Sequence, residues 1–369
     1  MQLLDSLQTS PIDAPEPLQV LLQDIANNLE IQSFYSIKHP NYKPLELPSE
    51  AVSRFQQLSS DLQNKFLKLQ LSNFLYGVYY NGSLKRVLAI DADDTNSVNQ
   101  NLAQKLENNT FLGVDVAFYD RLHQSNQGKG YFSNHWQVVK EEADGTLAVH
   151  NGGLTLHIEP SIHLELQTEI PIVGDLVAIK LPKNLVQNGF YMAVGDAGSY
   201  DGEQIVRVYF NLTPDGAVAV MESVTRELNT IPIEFNFKAL YNPSDYDRYD
   251  SAVLYFDKHN YEIVHPILER VYAEHKAYFQ PEVPLFTKMI APGIAIAEEP
   301  DQKFAEKESF GMNRCQIVAD ALFDAWQQGN NSPDARMESI LQKFASLEIG
   351  LQHPYLNANS EDIYGAIKL

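Results

Sequence analysis

The sequence is short of several things, and each shortage excludes something. It has one cysteine, Cys315, in 369 residues. That rules out an intramolecular disulfide and any cysteine-rich zinc site. Basic residues are few, 27 Lys and Arg against 48 Asp and Glu, for a formal net charge of −21. So acidic a chain repels phosphate backbones and anionic lipid, and neither nucleic acid nor a membrane is expected as a partner. No apolar run approaches the ~20 residues that a membrane helix needs. The best stretch, 289–297, is broken by Pro292 and Gly293. The opening Met1-Gln2-Leu3-Leu4-Asp5-Ser6 carries an acid and no basic segment, unlike a secretory signal. A cytoplasmic location is the resulting expectation. Gly195, Gly198 and Gly202 have the spacing of neither a phosphate loop nor a dinucleotide motif, and there is no G-x-S-x-G elbow.

What is present is globular material, 44% hydrophobic with 19 Tyr and 18 Phe. Residues 1 to about 125 read as helical. Leu18, Leu21, Leu22, Ile25 and Leu29 mark one amphipathic stripe, and Phe55, Leu58, Leu62, Phe66 and Leu69 mark another. Further helices are predicted at 97–108 and 114–123, while 76–80 is ambiguous. From about 128 to 257 the pattern becomes short alternating runs between turn residues, a meandering sheet interrupted by one helix at 217–228. Helices return at 263–279, 310–328 and 335–347, with a connector at 281–308. Runs of strands followed by runs of helices predict an α+β fold. The expected layout is an N-terminal helical region, 1–125, then an α+β domain, 126–369, with a mainly antiparallel central sheet and C-terminal helices.

Alternate side chains of a strand point to opposite faces, so each predicted strand can be split by parity. In 205–212 the apolar set is Val206, Val208, Phe210 and Leu212, and the opposite set carries Arg207, Tyr209 and Asn211. In 233–240 the apolar Ile233, Phe235, Phe237 and Ala239 oppose Glu234, Asn236 and Lys238. In 154–159, His157 lies opposite Leu154, Leu156 and Ile158. In 175–181, Lys180 lies opposite Val177, Ile179 and Leu181. A solvated face explains this pattern. A cationic floor for an anion such as phosphate explains it too, and better accounts for the scarcity of carboxylates there in so acidic a chain. If these strands are neighbours, their polar faces converge on one surface and place Arg207 within ~10 Å of Lys238. His150, His157 and His163 are too far apart along the chain to share a metal. Ser309 reads as a helix N-cap with Arg314 in the first turns, an arrangement that suits an anion or simply a capped helix.

Several stretches in order along the chain resemble the HopA-type effector family. They are Val206-Arg207-Val208-Tyr209-Phe210-Asn211-Leu212, Phe237-Lys238-Ala239-Leu240, Tyr246-Asp247-Arg248-Tyr249-Asp250, Phe286-Thr287-Lys288, Ala297-Glu298-Glu299-Pro300, Glu308-Ser309-Phe310-Gly311-Met312-Asn313-Arg314-Cys315 and Pro354-Tyr355-Leu356-Asn357. The resemblance runs from about 120 to 365. That family includes a bacterial type III secreted effector and the lyase component of class V lanthipeptide biosynthesis. The resemblance implies elimination of phosphate from phosphoserine or phosphothreonine in a ribosomal precursor peptide, leaving dehydroalanine or dehydrobutyrine. A separate kinase-like partner would install the phosphate, and no metal or organic cofactor is implied. The more distant effector phosphothreonine lyases use a Lys-x-His strand motif; here Thr155-Leu156-His157 keeps only the histidine.

Such an elimination needs a base for the α-proton, cations where charge develops on the leaving phosphate, and an acid near the bridging oxygen. The candidates are Lys180 or Lys238 as base and His157 as acid. Arg207, Arg248, Lys288 and Arg314 are candidate phosphate ligands, and Tyr209 a candidate for orienting the lysine or the phosphate. The rival expectations are a binding protein that holds a phosphopeptide or leader peptide without turnover, and an effector that binds a host protein.

Overall fold

The computed structural model describes residues 14–90, 113–165, 171–200 and 202–368. The helix expected at 97–108 lies outside them. The fold is α+β, and the chain divides into two compact units that interleave in sequence. One takes Met1–Glu107, Val283–Met289 and Ala295–Tyr364; the other takes Asn108–Glu282, Ile290–Ile294 and Gly365–Leu369.

The first unit begins with helix Glu16–Asn28, which buries Leu18, Leu22, Ile25 and Ala26 on the stripe that its periodicity marks. Three short antiparallel strands follow: β1 (Glu30–Ser33), β2 (Ser36–His39) and β3 (Tyr42–Glu46). Sequence reading missed them, because strands of four or five residues between helices hold too few alternations to show a period. The second apolar stripe splits into helices Ser49–Phe55 and Ser60–Phe74, the latter capped by Ser59 accepting from the Leu62 N–H. The ambiguous aromatic segment is a buried π-helical turn, Leu75–Tyr80. Helices Phe310–Gln327 and Pro333–Ser346 complete this unit, each opened by a serine cap, Ser309 and Ser332.

The second unit starts at helix Val116–Ser125, capped by Asp115. A four-stranded antiparallel sheet follows: β4 (Tyr131–Glu141), β5 (Leu147–Asn151), β6 (Leu154–Ile158) and β7 (Leu176–Leu181), in the order β6-β5-β4-β7. Gly152 and Gly153, with φ of 54° and 84°, make the two-residue turn between β5 and β6. The core of this sheet is Trp136, Val138, Leu147, Val149, Ile158, Val177 and Ile179. Five further strands lie side by side: β8 (Asn184–Gln187), β9 (Phe190–Val194), β10 (Ile205–Phe210), β11 (Phe235–Leu240) and β12 (Ala252–Asp257), in the order β10-β12-β11-β9-β8. The apolar sides of the central strands are fully buried at Val206, Val208, Phe210, Phe235, Phe237, Leu254 and Phe256. Helices Pro214–Leu228 and Tyr261–His275 belong to the same unit. The connector expected at 281–308 contains two strands, Lys288–Ala291 and Ile294–Glu298. Among the described residues no helix is long and apolar enough to cross a membrane.

Candidate functional site

Strand register decides which polar side chains share a face. Arg207 on β10 pairs with Tyr255 on β12, and Tyr255 pairs with Asn236 on β11. Tyr209 pairs with Val253, which pairs with Lys238, which pairs with Met192 on β9. Directly paired residues point the same way. One face therefore carries Arg207, Tyr209, Tyr255, Asn236 and Lys238, opposite the apolar core.

On that face two cations meet at one ring. The Arg207 guanidinium lies 5.2 Å from the Tyr255 ring centroid, and the Lys238 ammonium lies 5.3 Å from the same centroid and 4.2 Å from that of Phe190. The two head groups are thus separated by no more than the sum of their distances to Tyr255; their strands are not adjacent, as the ~10 Å expectation supposed, since β12 stands between them. Each such cation–ring contact contributes about 0.5–1 kcal/mol when exposed and more when desolvated. Arg207, Tyr255 and Lys238 are half-buried, whereas Tyr209 is 3% exposed. This is not an open solvated sheet face. Asn236 ties Ser199 and Tyr200 to it, accepting from the Ser199 hydroxyl at 3.0 Å and donating to the Tyr200 carbonyl at 3.2 Å.

The other candidates lie elsewhere. His157 and Lys180 belong to β6 and β7, in the four-stranded sheet, not among the strands that hold Arg207 and Lys238. Parity showed each residue's side of its own strand correctly, but it carries no information about which sheet a strand joins. His157 is 62% exposed in its side chain and stands 3.9 Å from Glu142. Arg248 is buried in the loop before β12, its fork on the Asp250 carboxylate at 2.5 and 2.7 Å. Next in the chain, Ser251 accepts from the Leu212 N–H and donates to the Phe210 carbonyl, which stitches that loop to the end of β10.

Lys288 and Arg314 are in the first unit. Lys288 donates to the Asp362 carboxylate at 2.7 Å and to the Tyr364 carbonyl at 2.6 Å. Burial pushes the Asp362 carboxyl upward, but the bonds from Lys288 and Tyr355 outweigh it and leave the group below its ordinary value. Arg314, 1% exposed, donates to the carbonyls of Pro354 and Leu356 and to the Asn313 side chain. Sequence reasoning assigned no part to Glu298. It is buried and accepts from the Ser360 and Tyr364 hydroxyls at 2.8 and 3.0 Å and from the Asn357 N–H at 3.0 Å. The Asn357 side chain returns a bond to the Glu299 carbonyl. The stretches 297–300, 308–315 and 354–357, quoted above for their resemblance, thus meet in one buried network. Its polar groups satisfy one another, as burial demands.

The model of the HopA1 effector protein family matches residues 181–356. No curated protein matches the chain. The solved structures similar to it include two effector proteins. The effector protein from Pseudomonas syringae pv. tomato strain DC3000 shares 13% identity at a TM-score of 0.41, over 84% of this chain and 95% of that one. The effector protein from Pseudomonas syringae pv. syringae strain 61 shares 14% identity at a TM-score of 0.42, over 82% of this chain and 100% of that one. Residues 181–356 hold Arg207, Lys238, Tyr255, Glu298 and Arg314, and over that segment the chain carries the signature of the HopA1 effector protein family.

Proposed function

We propose that the face bearing Arg207, Tyr255 and Lys238 binds the phosphate of a phosphoserine or phosphothreonine peptide, and that the protein eliminates this phosphate to leave dehydroalanine or dehydrobutyrine. The observation that carries this reading is the meeting of Arg207 and Lys238 at Tyr255, on the sheet face opposite the core. Arg207 supplies a planar fork that matches two phosphate oxygens. Lys238 is the base that takes the α-proton; the electrons of the Cα–H bond form the Cα=Cβ bond as the Cβ–O bond breaks. Fixed positive charge beside the departing phosphate favours the transition state over the bound substrate. The substrate is a ribosomal precursor peptide, and a kinase-like partner supplies its phosphate. Arg248, Lys288 and Arg314 donate to protein acceptors and hold the loops and the 354–364 segment in place.

A second reading, binding of the phosphopeptide without turnover, is favoured by the position of His157, the candidate acid, on a different sheet. Incubation with a phosphoserine peptide, followed by mass spectrometry, separates the two. Loss of the mass of phosphoric acid supports the lyase. Saturable binding with an unchanged peptide mass leaves the binding protein. Neither binding nor mass loss rejects both.

A further inference from the structure

At the end of β12 a carboxylate gathers three donors. Asp257 accepts from the Tyr200 hydroxyl at 2.5 Å on one oxygen. Its other oxygen lies 2.8 Å from both the backbone N–H and the ring Nδ1 of His259. The backbone bond is an ordinary cap of the short turn Lys258–Asn260. The ring bond and the tyrosine bond go beyond what a cap requires. Burial pushes the Asp257 carboxyl upward, yet the bonds from Tyr200 and His259 outweigh it, so the group stays an ionised acceptor at neutral pH. Burial, then the bond to Asp257, pushes the Tyr200 phenol up to about 12, so it stays a donor.

An ionised carboxylate accepts only, so Nδ1 must carry a proton. That fixes the tautomer and leaves Nε2 as the atom that gains or loses one. The His259 side chain is 77% exposed and that of Asp257 26%, so the imidazole is open to a ligand. Asp257 pairs with Ile205 and stands two residues beyond Tyr255, on the face that holds Arg207 and Lys238. The step between their Cα atoms is about 6–7 Å. His157, the other candidate acid, is on the four-stranded sheet.

We propose that His259, oriented by Asp257 and Tyr200, is the general acid of this face. The proposal rests on the lyase reading above. The imidazolium Nε2–H protonates the bridging oxygen as the Cβ–O bond breaks, while Lys238 takes the α-proton. One proton is lost by His259 and one gained by Lys238, and the products are the dehydroamino acid and inorganic phosphate. The charged group bonded to the ring is Asp257, and Lys258 lies next to it in the chain. Tyr200 approaches Asp257 from the neighbouring loop, with Glu234 acting on Tyr200 from the approach to β11.

The test compares wild type, His259→Ala, Asp257→Asn and His157→Ala on a phosphoserine peptide, measuring elimination rate against pH and peptide affinity separately. General-acid loss typically costs on the order of 10²-fold or more. His259→Ala should fall by that order with affinity within about twofold of wild type, and should lose the alkaline limb of the rate profile. Asp257→Asn, which frees the tautomer, should fall less and distort the same limb. His157→Ala should keep both rate and limb. If His259→Ala keeps the rate and the limb, or His157→Ala loses them, the assignment is overturned. A wild type that binds the peptide and never eliminates overturns the lyase reading itself, and the acid with it.

Discussion

Arg207 and Arg314 show how little a residue's type says about its use. Both are arginines in the matched segment, but one lies half-buried at a tyrosine ring on a sheet face and the other is sealed among carbonyls. Substitution should separate them. Arg207→Ala should lower elimination on the order of 10²–10³-fold, the usual cost of one transition-state contact. Arg207→Lys should remain poor, because a point charge does not reproduce the fork. Both variants should melt near the wild-type temperature, since the residue is off the core face. Phosphate release and thermal melting, read together, check this; full activity in a folded Arg207→Ala would remove the site from this face. Arg314→Ala should behave in the opposite way. It strips buried carbonyls of their donors and leaves a void, at a cost on the order of 3 kcal/mol, read as a lower urea midpoint.

At the scale of the element, the backbone makes its own demands. Gly130 enters β4 with φ of +86°, where a Cβ would run into the Leu181 carbonyl. Tyr131 and Leu181 are the first pair of the β4–β7 ladder. Gly130→Ala should therefore loosen that ladder by roughly 1–3 kcal/mol. Hydrogen exchange would show the loss first at the Tyr131 and Leu181 end of the sheet, and uniform protection would count against it. Elements of this size were legible in the sequence to differing degrees. The helices at 16–28, 214–228, 310–327 and 333–346 were, because each pairs an amphipathic stripe with a cap or an opening proline. The strands at 30–46 and 288–298 were not, for want of length. The candidate face was half legible: parity put Arg207 and Tyr209 on the polar side of one strand and Lys238 on that of another, but only register joins the two, with Tyr255 between them. Asp257 and His259 had no signal beyond a two-residue spacing that any turn could carry.

Three histidines, His39 buried and His123 and His275 half-buried, should make the whole molecule sensitive to acid. Burial lowers the pKa of His39, with Asp24 opposing, and that of His275, with Glu274 opposing; burial and Lys183 together lower that of His123. Each therefore takes a proton less readily in the folded chain than in the unfolded one, where the ordinary value is 6.5. The unfolded chain therefore binds more protons as pH falls below that value, and stability declines with it. His39 sits in the first unit and the other two in the second, so both should weaken. Melting temperature should drop between about pH 6.5 and 5, before the carboxylates titrate. A flat melting curve across that window would show that these rings are protonated equally in both states.

The interleaving of the units has a consequence for biosynthesis. The chain passes from one unit to the other at 107/108, 282/283, 289/290, 294/295 and 364/365. The described N-terminal residues, 14–90, belong to a unit that segments as late as Ala295–Tyr364 complete, so they should finish folding only late in synthesis. Nearly all of the second unit is made before those partners arrive. The earliest part of the polypeptide is then among the last to reach its final form. Until translation is almost over, the apolar stripe of Leu18, Leu22 and Ile25 remains a surface for chaperones to hold.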